Sequence, residues 1–287
     1  MNEDGHRERH YTTFDGLRLF FRDWGDALTG DTAVLCLPGL TRNSKDFIRL
    51  ARRLSRNRRV VAPDLRGRGR SAYARDWRSY EPRVYLEDLR HLLVGLGIGH
   101  VVVVGTSMGG LLGLALAVLL PTTIRGFVIN DVGPEVNQAG SKRILAYIST
   151  DRPQPDWPSA ARHLRQFLPT LSLRSDEEWL DFARHTFRES ADGTLHFDWD
   201  VNLAKPIAAG KGGAEEGDLW RLWRAAQRIP MLAIRGGVSD ILSEATFARM
   251  KAEKPDLDQV TVPGVGHAPT LDEPECREAL DAFFRRH

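Results

Sequence analysis

Val101-Val102-Val103-Val104-Gly105-Thr106-Ser107-Met108-Gly109-Gly110 runs four consecutive valines into a long apolar helical pattern through a turn of the form Gly-x-Ser-x-Gly. The valines read as a strand buried on both faces, and 108–120 reads as the helix that follows. A serine at so tight a strand-to-helix turn is held out where a substrate can reach it. The glycines two residues to either side have a mechanical reason, because a side chain at those positions would collide with the neighbouring backbone. The pattern is short, and its meaning comes from what surrounds it.

Outward from this turn, β-rich runs alternate with helical patterns: 33–37, 45–54, 60–62, 82–96, 101–104, 108–120 and 124–129. Unbroken apolar strands joined by helical crossovers are the signature of a parallel sheet. Before them, 11–14 and 17–24 flank Asp15-Gly16, a two-residue hairpin signal, so the chain opens on antiparallel strands. After Asp131 the alternation stops. From Gly133 to about Arg228 the sequence is helix-rich and irregular, with Pro153, Pro155 and Pro158 as breakers, a polar glycine-rich stretch from Gly210 to Gly217, and five of the seven tryptophans. Alternation resumes with 231–234, 243–251, 259–262 and 274–284. The expected organisation is therefore a core of 1–132 and 229–287 with 133–228 inserted as a helical cap.

With 287 residues, 42% hydrophobic and 27% charged, the chain has the composition of one large globular domain or one domain with an inserted lid. Its 40 basic residues are scattered among 38 acidic ones for a net charge of +2, which gives no stripe for nucleic acid. The densest basic stretch, from Arg52 to Arg59, falls at a helix end and reads as a solvated face. Cys36 and Cys276 are expected as free thiols. The polar 1–10 segment lacks an apolar signal core and the longest apolar stretch, 111–120, is too short to span a bilayer, so a cytoplasmic protein without membrane contact is expected.

A serine hydroxyl is a weak nucleophile at neutral pH and needs a histidine base and a carboxylate to orient that base. Asp240 lies in Arg235-Gly236-Gly237-Val238-Ser239-Asp240, and His267 in Pro263-Gly264-Val265-Gly266-His267-Ala268-Pro269. Both loops follow a predicted parallel strand, where open sheets build their active crevices. Asp131 also follows a strand end, in Ile129-Asn130-Asp131-Val132, and competes with Asp240; the order Ser107, Asp240, His267 makes Asp240 the expected acid. The oxyanion formed on attack needs fixed backbone donors. Met108 N–H follows the nucleophile, and Leu40 N–H is the expected second donor because Pro38-Gly39-Leu40 turns sharply after the 33–37 strand.

These residues resemble the α/β-hydrolase superfamily from about Tyr11 to the C-terminus. Leu37-Pro38-Gly39-Leu40 is similar to the oxyanion loop, with Pro38 where histidine is common, and Asp64-Leu65-Arg66-Gly67-Arg68-Gly69-Arg70-Ser71 is similar to the D-x-x-G-x-G-x-S loop. Gly105 to Gly110 resembles the nucleophile elbow, and Asp240 and Gly266-His267 match the acid and base positions. The resemblance implies a mostly parallel eight-stranded sheet with helices on both faces and an inserted helical cap. Haloalkane dehalogenases and epoxide hydrolases of this fold use aspartate at the elbow, so Ser107 argues against both. Meta-cleavage product hydrolases often carry Gly-Asn-Ser-Met-Gly-Gly, where this chain has Thr106.

The expected function is hydrolysis of a carboxylic ester or lactone of a small, largely apolar substrate through an acyl-enzyme. Hydrolytic carbon-carbon cleavage of meta-cleavage-type diketones is the first alternative, and a ligand receptor on the same fold is the second. No metal or organic cofactor is expected, since no residue pair has metal-ligand spacing and Gly210-Lys211-Gly212-Gly213 lacks the form of a phosphate loop. A homodimer is possible. Arg66, Arg68 and Arg70 are expected to brace the sheet, and most cap aromatics, including Trp157, Trp179, Trp199, Phe167 and Phe182, to form cap core with one or two facing the crevice.

Overall fold

The computed structural model describes residues 4–26, 32–210 and 216–287, so the glycine-bearing stretch 211–215 lies outside the described residues. The strands in chain order are β1 (His6–Thr12), β2 (Arg18–Trp24), β3 (Ala33–Leu37), β4 (Val60–Pro63), β5 (Val101–Thr106), β6 (Ile124–Asn130), β7 (Phe187–Glu189), β8 (Leu195–Phe197), β9 (Met231–Gly236) and β10 (Asp258–Val262). Eight of them form one sheet in the order β1-β2-β4-β3-β5-β6-β9-β10, and β7 pairs with β8 in a separate ribbon. β1, β2 and β4 are antiparallel neighbours, and from β4 onward the sheet is parallel.

The central strands are buried on both faces, which is why they read as unbroken apolar runs. Successive valines of β5 point to opposite sides. Val101 and Val103 join one core cluster, while Val102 and Val104 join the other. The outer strand β1 is exposed along most of its length, and Arg7, Glu8 and Arg9 blunt that edge against pairing with another chain.

The helices are α1 (Ile48–Leu54), α2 (Pro82–Gly95), α3 (Met108–Leu119), α4 (Gln138–Ile148), α5 (Trp157–Phe167), α6 (Asp176–Thr186), α7 (Ala204–Ala208), α8 (Glu216–Ala225), α9 (Glu244–Glu253) and α10 (Pro274–Phe284). α1 and α10 cover one face of the sheet; α2, α3, α8 and α9 cover the other. None of the described helices is long and apolar enough to cross a membrane.

Between β6 and β9 the chain leaves the sheet. α4 to α7 and the β7–β8 ribbon form a layer with its own aromatic packing, in which the Tyr147 and Phe167 rings stack at 3.8 Å and the Phe197 and Trp199 rings at 4.0 Å. Local signals fix these elements. Ser175 and Glu178 form a reciprocal capping box at the start of α6, and Asp156 caps α5 through the Ser159 N–H. α8 behaves differently: it packs against α3 of the core, with Trp220 and Trp223 buried.

Candidate active site

Ser107 stands at the junction of β5 and α3 with φ 53° and ψ −121°, a left-handed conformation that costs on the order of 1–3 kcal/mol for a residue with a side chain. Packing enforces it. A Cβ on Gly105 would run into the backbone of Gly109, and one on Gly109 would run into the Leu37 carbonyl. The Ser107 N–H donates to the Asn130 carbonyl at 2.9 Å, which pins the elbow to the neighbouring strand. Oγ is thereby directed away from the sheet, at the positive end of the α3 dipole.

His267, on the loop after β10, places Nε2 2.9 Å from Ser107 Oγ. Its Nδ1 lies 2.8 Å from Asp131 Oδ2. Asp131 is fully buried and follows β6 directly, with φ 55°, a conformation aspartate tolerates better than most residues. Its Oδ1 accepts the Gly236 N–H at 2.8 Å, and its Oδ2 also accepts the Ser239 hydroxyl at 2.7 Å. These neutral donors satisfy the carboxylate's remaining acceptor sites, and among the described residues no Lys or Arg pairs with it.

Asp240, the acid expected from the sequence, is not in this chain of contacts. Its carboxylate accepts two hydrogen bonds from Arg143 of α4, at 2.8 and 3.1 Å, and its side chain is 44% exposed. The correction has a geometric cause. β6 lies between β5 and β9 in the sheet, with Thr106 beside Asn130 in register. The residue after β6 therefore stands next to the residue after β5, whereas Asp240 is carried outward on the turn beyond β9. The adjacency of two strand ends is the signal that separates the candidates, and it requires the strand order.

Gly39 lies against the elbow: a Cβ built on it would sit 3.7 Å from Ser107 Cβ. The loop turns through an Arg42 N–H bond to the Gly39 carbonyl at 3.1 Å. Leu40 and Ser107 line the same cavity, and Met108 begins α3 immediately after the serine. Among the described residues, no backbone acceptor takes the Leu40 N–H.

The loop from Asp64 to Ser71 is braced as expected. Arg66 donates to Asp88 twice at 2.7 Å and to Asp15 at 2.8 Å. The Arg66 guanidinium holds the Asp15 carboxyl down to about 2. Arg70 pairs with Glu8. Arg68 instead donates to the Leu40 carbonyl at 2.7 Å, a contact the sequence did not suggest.

A cavity of about 960 Å³ opens between these loops and the α4–α7 layer, at the upper end of the usual range for small-molecule sites. Ser107, His267 and Leu40 form its floor. Ile144, Tyr147, Phe167, Leu171, Phe182 and Trp199 form an apolar roof, and charged residues such as Arg49, Asp272 and Arg277 line its rim. Of the tryptophans, Trp199 alone is among the lining residues. His185 also lines it, and burial holds its imidazole down to about 4. Among the described residues, no group of three His, Cys, Asp or Glu side chains could hold a metal ion.

Known proteins share this fold. Residues 34–277 match the family model described as the alpha/beta hydrolase family. The chain is 34% identical to the 3-hydroxybutyrate-oligomer hydrolase of Cupriavidus necator, over 93% of this chain and 92% of that one. It is 26% identical to the 2-(acetamidomethylene)succinate hydrolase of Mesorhizobium japonicum, over 84% of each. Among solved structures, an alpha/beta hydrolase from Novosphingobium aromaticivorans superposes with a TM-score of 0.93 at 43% identity, covering 99% of both chains.

Proposed function

The chain belongs to the alpha/beta hydrolase family, and from that premise we propose that it is a serine hydrolase cleaving carboxylic esters through an acyl-enzyme. The observation that carries this reading is the continuous hydrogen-bonded series from Ser107 Oγ through His267 to Asp131, at 2.9 and 2.8 Å. In it, His267 Nε2 takes the serine proton as Oγ attacks the ester carbon, and Asp131 fixes the tautomer and stabilises the imidazolium that forms. The same Nε2 then protonates the leaving alcohol. Water repeats the sequence on the acyl-enzyme and restores Ser107.

The N–H groups of Leu40 and Met108 are the proposed donors to the tetrahedral oxyanion, each contributing about 3 kcal/mol of transition-state stabilisation. The α3 N-terminus adds its positive dipole end at the same place. The apolar roof, with Tyr147 and Trp199 facing the nucleophile's cavity, suits a small, mainly apolar acyl group or lactone. Similarity to a 3-hydroxybutyrate-oligomer hydrolase over nearly all of both chains supports short hydroxyacid oligoesters as the first natural-type substrates to assay.

The test is labelling and turnover together. A fluorophosphonate should modify Ser107 stoichiometrically, and p-nitrophenyl butyrate should be hydrolysed by the native chain and not measurably by Ser107→Ala. Undiminished hydrolysis by Ser107→Ala, or labelling at another residue, would overturn the assignment. Disappearance of a meta-cleavage dienol in place of ester turnover would move the chemistry to carbon-carbon cleavage.

A further inference from the structure

Arg68 stands between Gly67 and Gly69 in the loop that follows β4, and it is fully buried. Its Nε donates to the Leu40 carbonyl at 2.7 Å, and one terminal nitrogen donates to the Arg66 carbonyl at 2.7 Å and the Tyr85 hydroxyl at 2.9 Å. The other terminal nitrogen lies 3.8 Å from the Met108 sulfur. The guanidinium carbon sits 4.8 Å from the centre of the Tyr85 ring. Every one of these partners is neutral. Arg66, two residues earlier and equally buried, is instead held by the carboxylates of Asp88 and Asp15.

A buried cation with no carboxylate partner is costly, because desolvation is not offset by an opposite charge. Simple bracing of the loop does not require that cost, since neutral donors could hold the same carbonyls. What separates Arg68 from a brace is which residues it grips. Leu40 and Met108 are the two residues whose N–H groups face the developing oxyanion in the proposed reaction, and Arg68 touches both. A donor on the Leu40 carbonyl restrains that residue's orientation, and a positive charge close to both residues lowers the energy of an anion bound by their N–H groups.

The loop is also fixed from the opposite side. Gly69 N–H donates to the Asp198 carbonyl at 2.8 Å, and Asp200 N–H donates to the Gly67 carbonyl at 2.8 Å. These bonds flank Trp199, a wall of the cavity. The segment carrying Arg68 therefore joins the oxyanion loop, the nucleophile helix and the cavity roof.

We propose that Arg68 is a positioning residue for the oxyanion hole, which sets the Leu40 loop and brings a positive charge, with no carboxylate in ion-pair contact among the described residues, close to the two donor residues. The proposal rests on the serine ester hydrolase reading above. Its test compares the native chain with Arg68→Met and Arg68→Lys, measuring kcat and KM on p-nitrophenyl butyrate and the Ki of an aryl trifluoromethyl ketone. The ketone's hemiketal oxyanion with Ser107 reports on the hole directly. Arg68→Met should lower kcat about 100-fold, leave KM within about threefold, and raise the ketone Ki in proportion to the loss in kcat/KM. Arg68→Lys, which keeps a charge and a donor, should recover part of both losses. If Arg68→Met does not fold, the same parallel between kcat/KM and Ki in Arg68→Lys carries the test.

Folded variants with unchanged kcat, or with reduced kcat but an unchanged ketone Ki, would overturn the proposal. Failure of the underlying reading looks different. In that case the native chain itself neither binds the ketone nor reacts with a fluorophosphonate.

Discussion

Asp131 Oδ2 lies 2.8 Å from His267 Nδ1, and it does so from the first residue beyond β6, beside the strand that leads into Ser107. Asp131→Asn should therefore lower kcat by about 10⁴-fold, the loss that follows when the histidine is held in the wrong tautomer. Asp240→Asn should leave kcat within a few-fold of native. Steady-state kinetics on one chromogenic ester settle the matter, and a larger loss at Asp240 would return the orienting role to that residue.

Arg143 and Asp240 join α4 to the loop after β9 through two hydrogen bonds, with side chains 36% and 44% exposed. Pairs this exposed contribute about 0.2–1 kcal/mol. A double-mutant cycle of Arg143→Ala and Asp240→Ala, read by urea unfolding, should give a coupling energy in that range at low salt that shrinks in ~1 M salt, where screening is short-ranged. A coupling well above it would mean that the pair does more than fasten the roof to the core.

Gly109→Ala should abolish measurable ester hydrolysis, since the added methyl points at the Leu37 and Pro38 carbonyls, which are backbone and cannot move aside cheaply. Gly95→Ala, at the end of α2 with nothing within 4 Å of the new methyl, should leave activity intact and change stability by less than about 1 kcal/mol. Parallel melting curves and activity assays compare the two. An active Gly109→Ala would show that the elbow does not need its close approach to β3.

His185 should make the fold sensitive to mild acid. Burial holds its imidazole near 4, against an ordinary 6.5, outweighing the opposing influence of Asp46. Between those values the unfolded chain binds a proton that the native chain does not, so stability is retained above pH 6.5 and falls as pH drops toward 4. Urea unfolding of the native chain and His185→Gln at pH 7, 6, 5 and 4 tests this. The variant should lose less stability than the native chain over that interval, and identical slopes would remove His185 as a contributor.

The fold was legible because each central strand is buried on both faces and so appears as an unbroken apolar run, with helical spacing between. The elbow was legible for a similar reason, since the collisions that exclude side chains at Gly105 and Gly109 leave glycine in the sequence. Asp131 and Asp240 were not separable to the same degree. Each follows a strand end, and what distinguishes them is that β6 neighbours β5 while β9 does not, a fact of strand order absent from local sequence. Trp220 and Trp223 match the inserted layer in aromatic richness, yet the helix that carries them, α8, packs against α3 of the core. The grip of Arg68 on Leu40 joins two loops 28 positions apart, and no periodicity encodes it.

β5, α3 and β6 make one continuous strand-helix-strand unit that carries Ser107 within it and ends immediately before Asp131. The histidine arrives from 160 positions beyond the serine and 136 beyond the aspartate. Local segments tend to form before distant pairings, so during refolding the strand-helix-strand unit around the elbow should form before the loop that carries the base docks. Return of Ser107 reactivity is then a clock for the docking of β10 and the loop behind it: helical signal recovers first, and the hydroxyl becomes a nucleophile only when the end of the chain comes home.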